Sequence, residues 1–152
     1  MLWVKMEEVL KKCWRYLNRK MYTVQELSAK LRRDGFDEKV IEEAISFLQE
    51  KGYLNDEEYV RVYLEGRKNR PKGYLAIVDD LKRKGVAPSY LHSLREDFYS
   101  LETEVEDALR LLQAGKERGE DEAKIKRRLL RRGFTWEAIE KAWSRLEGSS
   151  YS

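Results

Sequence analysis

The residues of this chain that could do chemistry are few, and their spacing does not suit catalysis. His92 is the sole histidine and Cys13 the sole cysteine among 152 residues. No Cys/His or His/carboxylate set with metal-ligand spacing, no internal disulfide and no Ser/His/Asp set therefore presents itself. Cys13 sits at helical spacing among Met6, Leu10, Trp14 and Leu17, the setting of a buried, inert thiol. His92 reads as a surface or satellite-core residue. Asp79 with Asp80, and Asp56 with Glu57 and Glu58, are carboxylate groups dense enough to consider for Mg²⁺. Adjacent helical residues point to different sides, however, and two of these read more simply as helix caps. Walker and Rossmann glycine patterns are lacking. We expect no enzymatic activity, no metal and no cofactor.

Positive charge is what this chain concentrates. Arg67, Lys68, Arg70 and Lys72 surround Pro71; Lys82, Arg83 and Lys84 precede Gly85; Lys126, Arg127, Arg128, Arg131 and Arg132 precede Gly133. Cations before a helix-ending glycine complement the helix dipole at ~0.3–1 kcal/mol each, so part of this pattern needs no partner. The cluster around Pro71 has no helix end to serve. It points to a polyanion or an acidic protein surface as partner. Net charge is only +3, but it alternates along the chain, from +5 over 1–36 to −6 over 37–60, then +5 over 61–85, −5 over 86–109 and +5 over 110–132. Trp3, Trp14, Trp136 and Trp143 are candidates for base stacking beside arginines. Trp14 and Trp143 fall on or beside apolar stripes, leaving Trp136, near Arg131 and Arg132, as the exception. Tyr53, Tyr59, Tyr63 and Tyr74 flank the basic loop and suit either rim or core.

The elements that must position these charges are set by a repeat. Leu27, Leu31, Gly35, Ile41, Ala44 and Leu48 recur as Ile77, Leu81, Gly85, Leu91, Leu94 and Phe98, and again as Ile125, Leu129, Gly133, Ile139, Ala142 and Leu146. In each copy apolar residues stand eight and four before the glycine and six, nine and thirteen after it. Spacings of three and four mark one face of a helix, and the glycine marks a left-handed stop, so each copy predicts helix, tight turn, helix. Thr23 with Glu26 and Asn55 with Glu58 predict capping boxes, Asp37 a cap, and Pro88 a first helical residue. Further helices are expected over Lys5 to about Lys20, after Asn55, and from about Glu102 to Gly115, with a loop from Gly115 to Gly119 and a frayed tail from Gly148.

The predicted fold is all-α, an elongated array of three tandem three-helix repeats with eight to nine helices. The expected division is 1–55 for the N-terminal helix plus first hairpin, 56–100 for the central repeat, 101–147 for the C-terminal repeat, and 148–152 for a flexible tail. Units of about fifty residues are too small to bury their apolar faces alone and are expected to stack. Charged residues make up 39% of the chain against a usual ~25%, which suits solvent-exposed helices. The chain has no apolar run of ~18 residues and no leader-like start, and its single cysteine fits a reducing compartment, so the expectation is a soluble, cytoplasmic protein.

The stretch Gly52-Tyr53-Leu54-Asn55-Asp56-Glu57-Glu58-Tyr59, with Arg67, Lys72-Gly73 and Leu81-Lys82-Arg83-Lys84-Gly85-Val86 after it, resembles the central signature of the RecX family of recombination regulators. Leu129-Leu130-Arg131-Arg132-Gly133-Phe134 with Ile139 is similar to that family's closing motif, and the likeness covers nearly the whole chain. Ala76 stands where the family often has Arg, and Asn55 where Asp is common. The resemblance implies a small helical-repeat protein that binds RecA filaments and restrains recombinase activity, in the control of recombination, DNA repair and the SOS response. The chain is expected to act as a monomer, and weak phosphate-mediated contact to single- or double-stranded DNA is compatible with this reading. Arg67, Lys68, Arg70, Lys72, Lys82, Arg83, Lys84, Lys126, Arg127, Arg128, Arg131 and Arg132 are the candidate contacts. The alternative from the residues alone is a sequence-nonspecific nucleic-acid-binding module that uses the same cations.

Overall fold

A computed structural model describes the backbone of residues 2–150. Among these, nine α-helices and one π-helical turn account for all the regular structure: α1 (Leu2–Leu17), α2 (Val24–Arg33), α3 (Glu38–Glu50), α4 (Asp56–Glu65), α5 (Tyr74–Arg83), α6 (Pro88–His92), the π turn (Leu94–Phe98), α7 (Leu101–Glu117), α8 (Glu122–Arg131) and α9 (Trp136–Ser150). No helix among the described residues is long and apolar enough to cross a membrane. The all-α class and the helix number match expectation. The three turn glycines, Gly35, Gly85 and Gly133, take φ values of 95°, 82° and 87°, the left-handed conformation that closes a helix at little cost only for glycine. The repeated apolar skeleton is buried except at Leu91, Phe98 and Leu146, which are half-buried.

The local stop and start signals explain most boundaries, and where they fail a tertiary contact has won. Thr23 forms the expected capping box with Glu26, and Asn55 Oδ1 accepts from Glu58 N at 3.2 Å. Asp37 is extended at the α3 N-cap but makes no side-chain cap there; its carboxylate lies 3.4 Å from Lys5 Nζ instead. α1 ends at Leu17, three residues before the expected Lys20. Gly115 is not the start of a loop. It lies buried inside α7, where an added Cβ would stand 2.9 Å from Ile125 Cδ1, so it admits Ile125 against the helix, and Gly119 (φ 79°) provides the stop. The helix expected through Phe98 gives way after His92 to the π turn, closed by Tyr99 N donating to Leu94 O at 2.7 Å. That extra residue lets both Leu94 and Tyr99 be buried. α9 continues through Gly148 to Ser150 rather than fraying after Glu147; Tyr151 and Ser152 lie outside the described residues, as does the side chain of Trp3.

Packing divides the chain into two compact units, one of Met1–Tyr63 with Leu81–Leu91 and one of Leu64–Asp80 with His92–Ser152. In the first, Val9 and Cys13 of α1, Leu27 and Leu31 of α2, and Val40, Ile41, Ala44, Ile45 and Leu48 of α3 form the core with Tyr22 and Leu54. In the second, Val105, Ala108 and Leu112 of α7 pack with Ile125 and Leu129 of α8, Phe134, and Ala138, Ile139, Ala142 and Trp143 of α9. These units are not the three consecutive segments of the sequence division, which remains our proposal for the repeat register.

Each unit contains one buried carboxylate that ties two helix starts together. In the first, Asp56 Oδ1 accepts from Val24 N at 2.9 Å and Oδ2 from Ala87 N at 3.0 Å. In the second, Glu104 Oε2 accepts from both Tyr74 N and Thr135 N at 2.9 Å, while Oε1 takes Thr135 Oγ1 at 3.0 Å and Arg95 Nη2 at 2.5 Å. The opening amides of a helix have no partner within it, and negative charge is favoured at that end. Asp56 is 6% exposed and Glu104 0%, so their charges are sustained by these donors. Beside each carboxylate, the residue before the first helix reaches the carbonyl before a turn glycine: Thr23 Oγ1 donates to Lys84 O at 2.6 Å, and Gly73 N donates to Arg132 O at 2.9 Å. A Cβ on Gly73 would stand 2.1 Å from the Phe134 backbone.

Removing the charge of Glu104 leaves Arg95 and two buried amides poorly matched, so Glu104→Gln is expected to lower stability by about 3 kcal/mol. Glu106→Gln, on the exposed face of the same helix, should stay within about 0.5 kcal/mol. Urea midpoints at neutral pH check both. Gly73→Ala should be more damaging than Gly35→Ala, where nothing lies within 4 Å and only the strain of a positive φ is incurred.

Candidate functional site

The second unit carries a cleft of about 270 Å³ around the segment between α4 and α5. Leu64, Pro71, Ile77 and Phe98 give it an apolar lining, Tyr99, Thr103 and Asp107 contribute polar groups, and Arg67, Lys68, Lys72 and Arg110 bring four cations to it. Three of those cations belong to the sequence-predicted cluster around Pro71. The remaining member of that cluster, Arg70, is exposed and is not among the lining residues. Arg110, Asp107 and Tyr99 were missed by sequence reasoning. Arg110 lies on α7, and no local spacing links α7 to a loop about forty residues earlier.

Hydrogen bonds fix the walls of this cleft. Lys72 Nζ lies 2.8 Å from Asp80 Oδ2, Lys68 Nζ 2.8 Å from Glu65 Oε2 and Arg110 Nη2 2.5 Å from Asp107 Oδ1. Tyr99 Oη donates to Asp107 Oδ2 at 3.0 Å and stands 3.2 Å from Lys72 O. Burial, then the Asp107 charge, pushes the Tyr99 phenol far above its usual range, so it remains a neutral donor. An apolar floor under a cationic rim suits an anionic chain that also carries apolar groups. The exposed Lys68–Glu65 pair at its edge contributes little to stability and can be exchanged for a ligand's carboxylates or phosphates.

The other predicted cations divide by their partners. On α8, Lys126 meets Glu122 at 2.7 Å and Glu140 at 3.1 Å, and Arg128 pairs with Glu120. Arg132 donates through Nε and Nη2 to Pro71 O at 3.2 and 2.7 Å, serving the fold. Arg127 and Arg131 are exposed on the same helix, with no ion pair among the described residues. Lys82 and Arg83, at the end of α5, and Lys84, in the turn after it, belong to the first unit and are exposed. Trp143 is buried, its Nε1 donating to Glu147 Oε1 at 2.7 Å, and Trp14 packs edge-on to Tyr53 at 4.8 Å. Trp136 stays 55% exposed, with Lys126 Nζ 5.6 Å from its ring.

Two groups give measurable consequences. The Arg128 and Arg118 guanidiniums hold the Glu120 carboxyl down to about 2. A depressed carboxylate stabilises the fold above its unfolded value and loses that contribution as pH falls toward the folded one. Thermal midpoints should therefore drop between about pH 4.5 and pH 2, and Glu120→Gln should flatten that part of the profile. Burial pushes the Cys13 thiol up to about 11. Iodoacetamide at pH 8 should label the native chain far more slowly than the urea-unfolded chain.

Comparison with known proteins agrees with this architecture. Residues 10–48 match the first three-helix domain of RecX and residues 55–91 the second, that is, α1–α3 and α4–α6. The chain is 32% identical over 140 residues to the regulatory protein RecX of Caldanaerobacter subterraneus subsp. tengcongensis, covering 92% of this chain and 71% of that one. It is 31% identical over 144 residues to regulatory protein RecX of Legionella pneumophila, covering 89% and 92%. It spans about half the length of several Bacillus relatives of the same description. The crystal structure of RecX from Lactobacillus salivarius superposes with a TM-score of 0.82 at 25% identity, covering 94% of this chain and 97% of that one. With two matched domains, a relative covered over most of its length and a shared fold, the chain belongs to the RecX family of regulatory proteins.

Proposed function

We propose that this protein is a non-enzymatic regulator that binds RecA nucleoprotein filaments in the cytoplasm and restrains recombinase activity. The observation that carries this reading, beyond family membership, is the cleft that gathers Arg67, Lys68, Lys72 and Arg110 over an apolar floor. A polymer of protein coated on DNA offers carboxylates, phosphates and apolar side chains at regular intervals, and such a cleft suits its surface. Substoichiometric amounts of the chain lower RecA ATPase and strand exchange on single-stranded DNA. The variant Lys68→Glu/Arg110→Glu reverses charge at two of the cleft's four lining cations without touching Asp56 or Glu104 and should lose most of that inhibition. Full inhibition by the variant would remove the cleft from the mechanism.

The exposed Arg127, Arg131 and Trp136 support a second reading, direct binding to nucleic acid. On that reading affinity for bare DNA falls between ~50 and ~200 mM salt with a slope near −0.9 per phosphate neutralised. A filament ligand keeps its preference for RecA-coated over bare DNA at the higher salt.

A further inference from the structure

Among the described residues, the large exposed apolar side chains of the second unit gather around one turn. They are Leu75 at 58% exposure, Leu130 at 45% and Trp136 at 55%. Leu75 N donates to Gly133 O at 2.9 Å, Leu130 lies three residues before Gly133, and Trp136 three after it. The first unit contains the corresponding junction at Gly85, where an added Cβ would meet Gln25 at 2.6 Å. There the matching positions are Gln25, Lys82 and Pro88, and Lys82 and Pro88 keep the same spacing from their glycine. A junction clamped in the same way by a carboxylate on two helix starts is thus built with polar residues and a proline, so such a junction does not require leucine and tryptophan at these places. Exposed apolar side chains that the fold does not use mark an interaction surface.

Its charge indicates the occupant. Arg127 and Arg131, beside Leu130 on α8, are exposed and carry no ion pair among the described residues, while Glu137, next to Trp136, has Lys141 Nζ at 3.4 Å. Two leucines have no use for phosphates or stacked bases, and they favour protein over nucleic acid. We infer that Leu75, Leu130 and Trp136 form a docking surface for an acidic, apolar-bearing segment of the protein partner, with Arg127 and Arg131 meeting its carboxylates. The inference rests on the RecA reading above and adds a second contact, separate from the cleft.

The test is binding to RecA-coated and to bare single-stranded DNA by the full chain and by Leu75→Gln/Leu130→Gln/Trp136→Pro. These changes leave charge unaltered, and proline suits a first helical position. The variant is expected to bind filaments at least tenfold more weakly and bare DNA within twofold of the parent. Equal filament binding would overturn the docking surface and leave the RecA reading standing. Equal loss on bare DNA and on filaments would assign the surface to nucleic acid and overturn it as a protein site. No filament binding by the parent would overturn both. If the triple variant lost helicity, the single exchanges Leu75→Gln and Leu130→Gln would be read in the same way, each expected to weaken filament binding several-fold.

Discussion

The structure depends on a buried carboxylate held by the amides of helix starts. Asp56 and Glu104 each accept two main-chain amides from helix starts about thirty residues away on either side. Such a charge is tolerable only when its donors are all in place, and the donors are in place only when the two helices begin at the right points. Helix boundaries and hairpin packing in each unit are thereby coupled. The turn glycines and apolar stripes make hairpins; the carboxylates decide how successive hairpins meet.

The two clamps also show how one geometry is reached from different sequence positions. Asp56 is the first residue of α4 and Glu104 the fourth of α7. Side chains on a helix lean toward its N-terminus, and positions three apart share a face. A longer glutamate one turn further along therefore reaches the place a shorter aspartate reaches from the start. Arg95 adds a guanidinium in the second unit, placed by the π turn, stacking 3.9 Å over the Tyr74 ring as it meets Glu104.

Hairpins, their turns and most of their core were legible because helix periodicity and left-handed glycines are local signals. Trp136 could be singled out as exposed for the same reason, since it falls off the stripe. Asp56 was seen only as a cap or a weak metal candidate, and Glu104 not at all, since their partners lie about thirty residues away and are backbone groups without side-chain identity. Gly115 misled because a glycine near a helix end usually stops it, whereas here it makes room for Ile125. Of the predicted cations, Lys126, Arg128 and Arg132 are engaged by Glu122, Glu140, Glu120 and Pro71 O. A run of arginines does not reveal which members the fold has already claimed.

A junction read through main-chain amides is indifferent to what the helix starts are made of. Val24 and Tyr74 occupy one place in it, Ala87 and Thr135 the other, and these residues have little in common in size or polarity. An acid is required, and three of its four correspondents, Val24, Tyr74 and Ala87, meet it through the main chain alone and are at liberty to drift, while Thr135 adds its hydroxyl. Tandem copies can in this way diverge until their common ancestry is nearly unreadable, each acquiring its own exterior while retaining an interchangeable coupling.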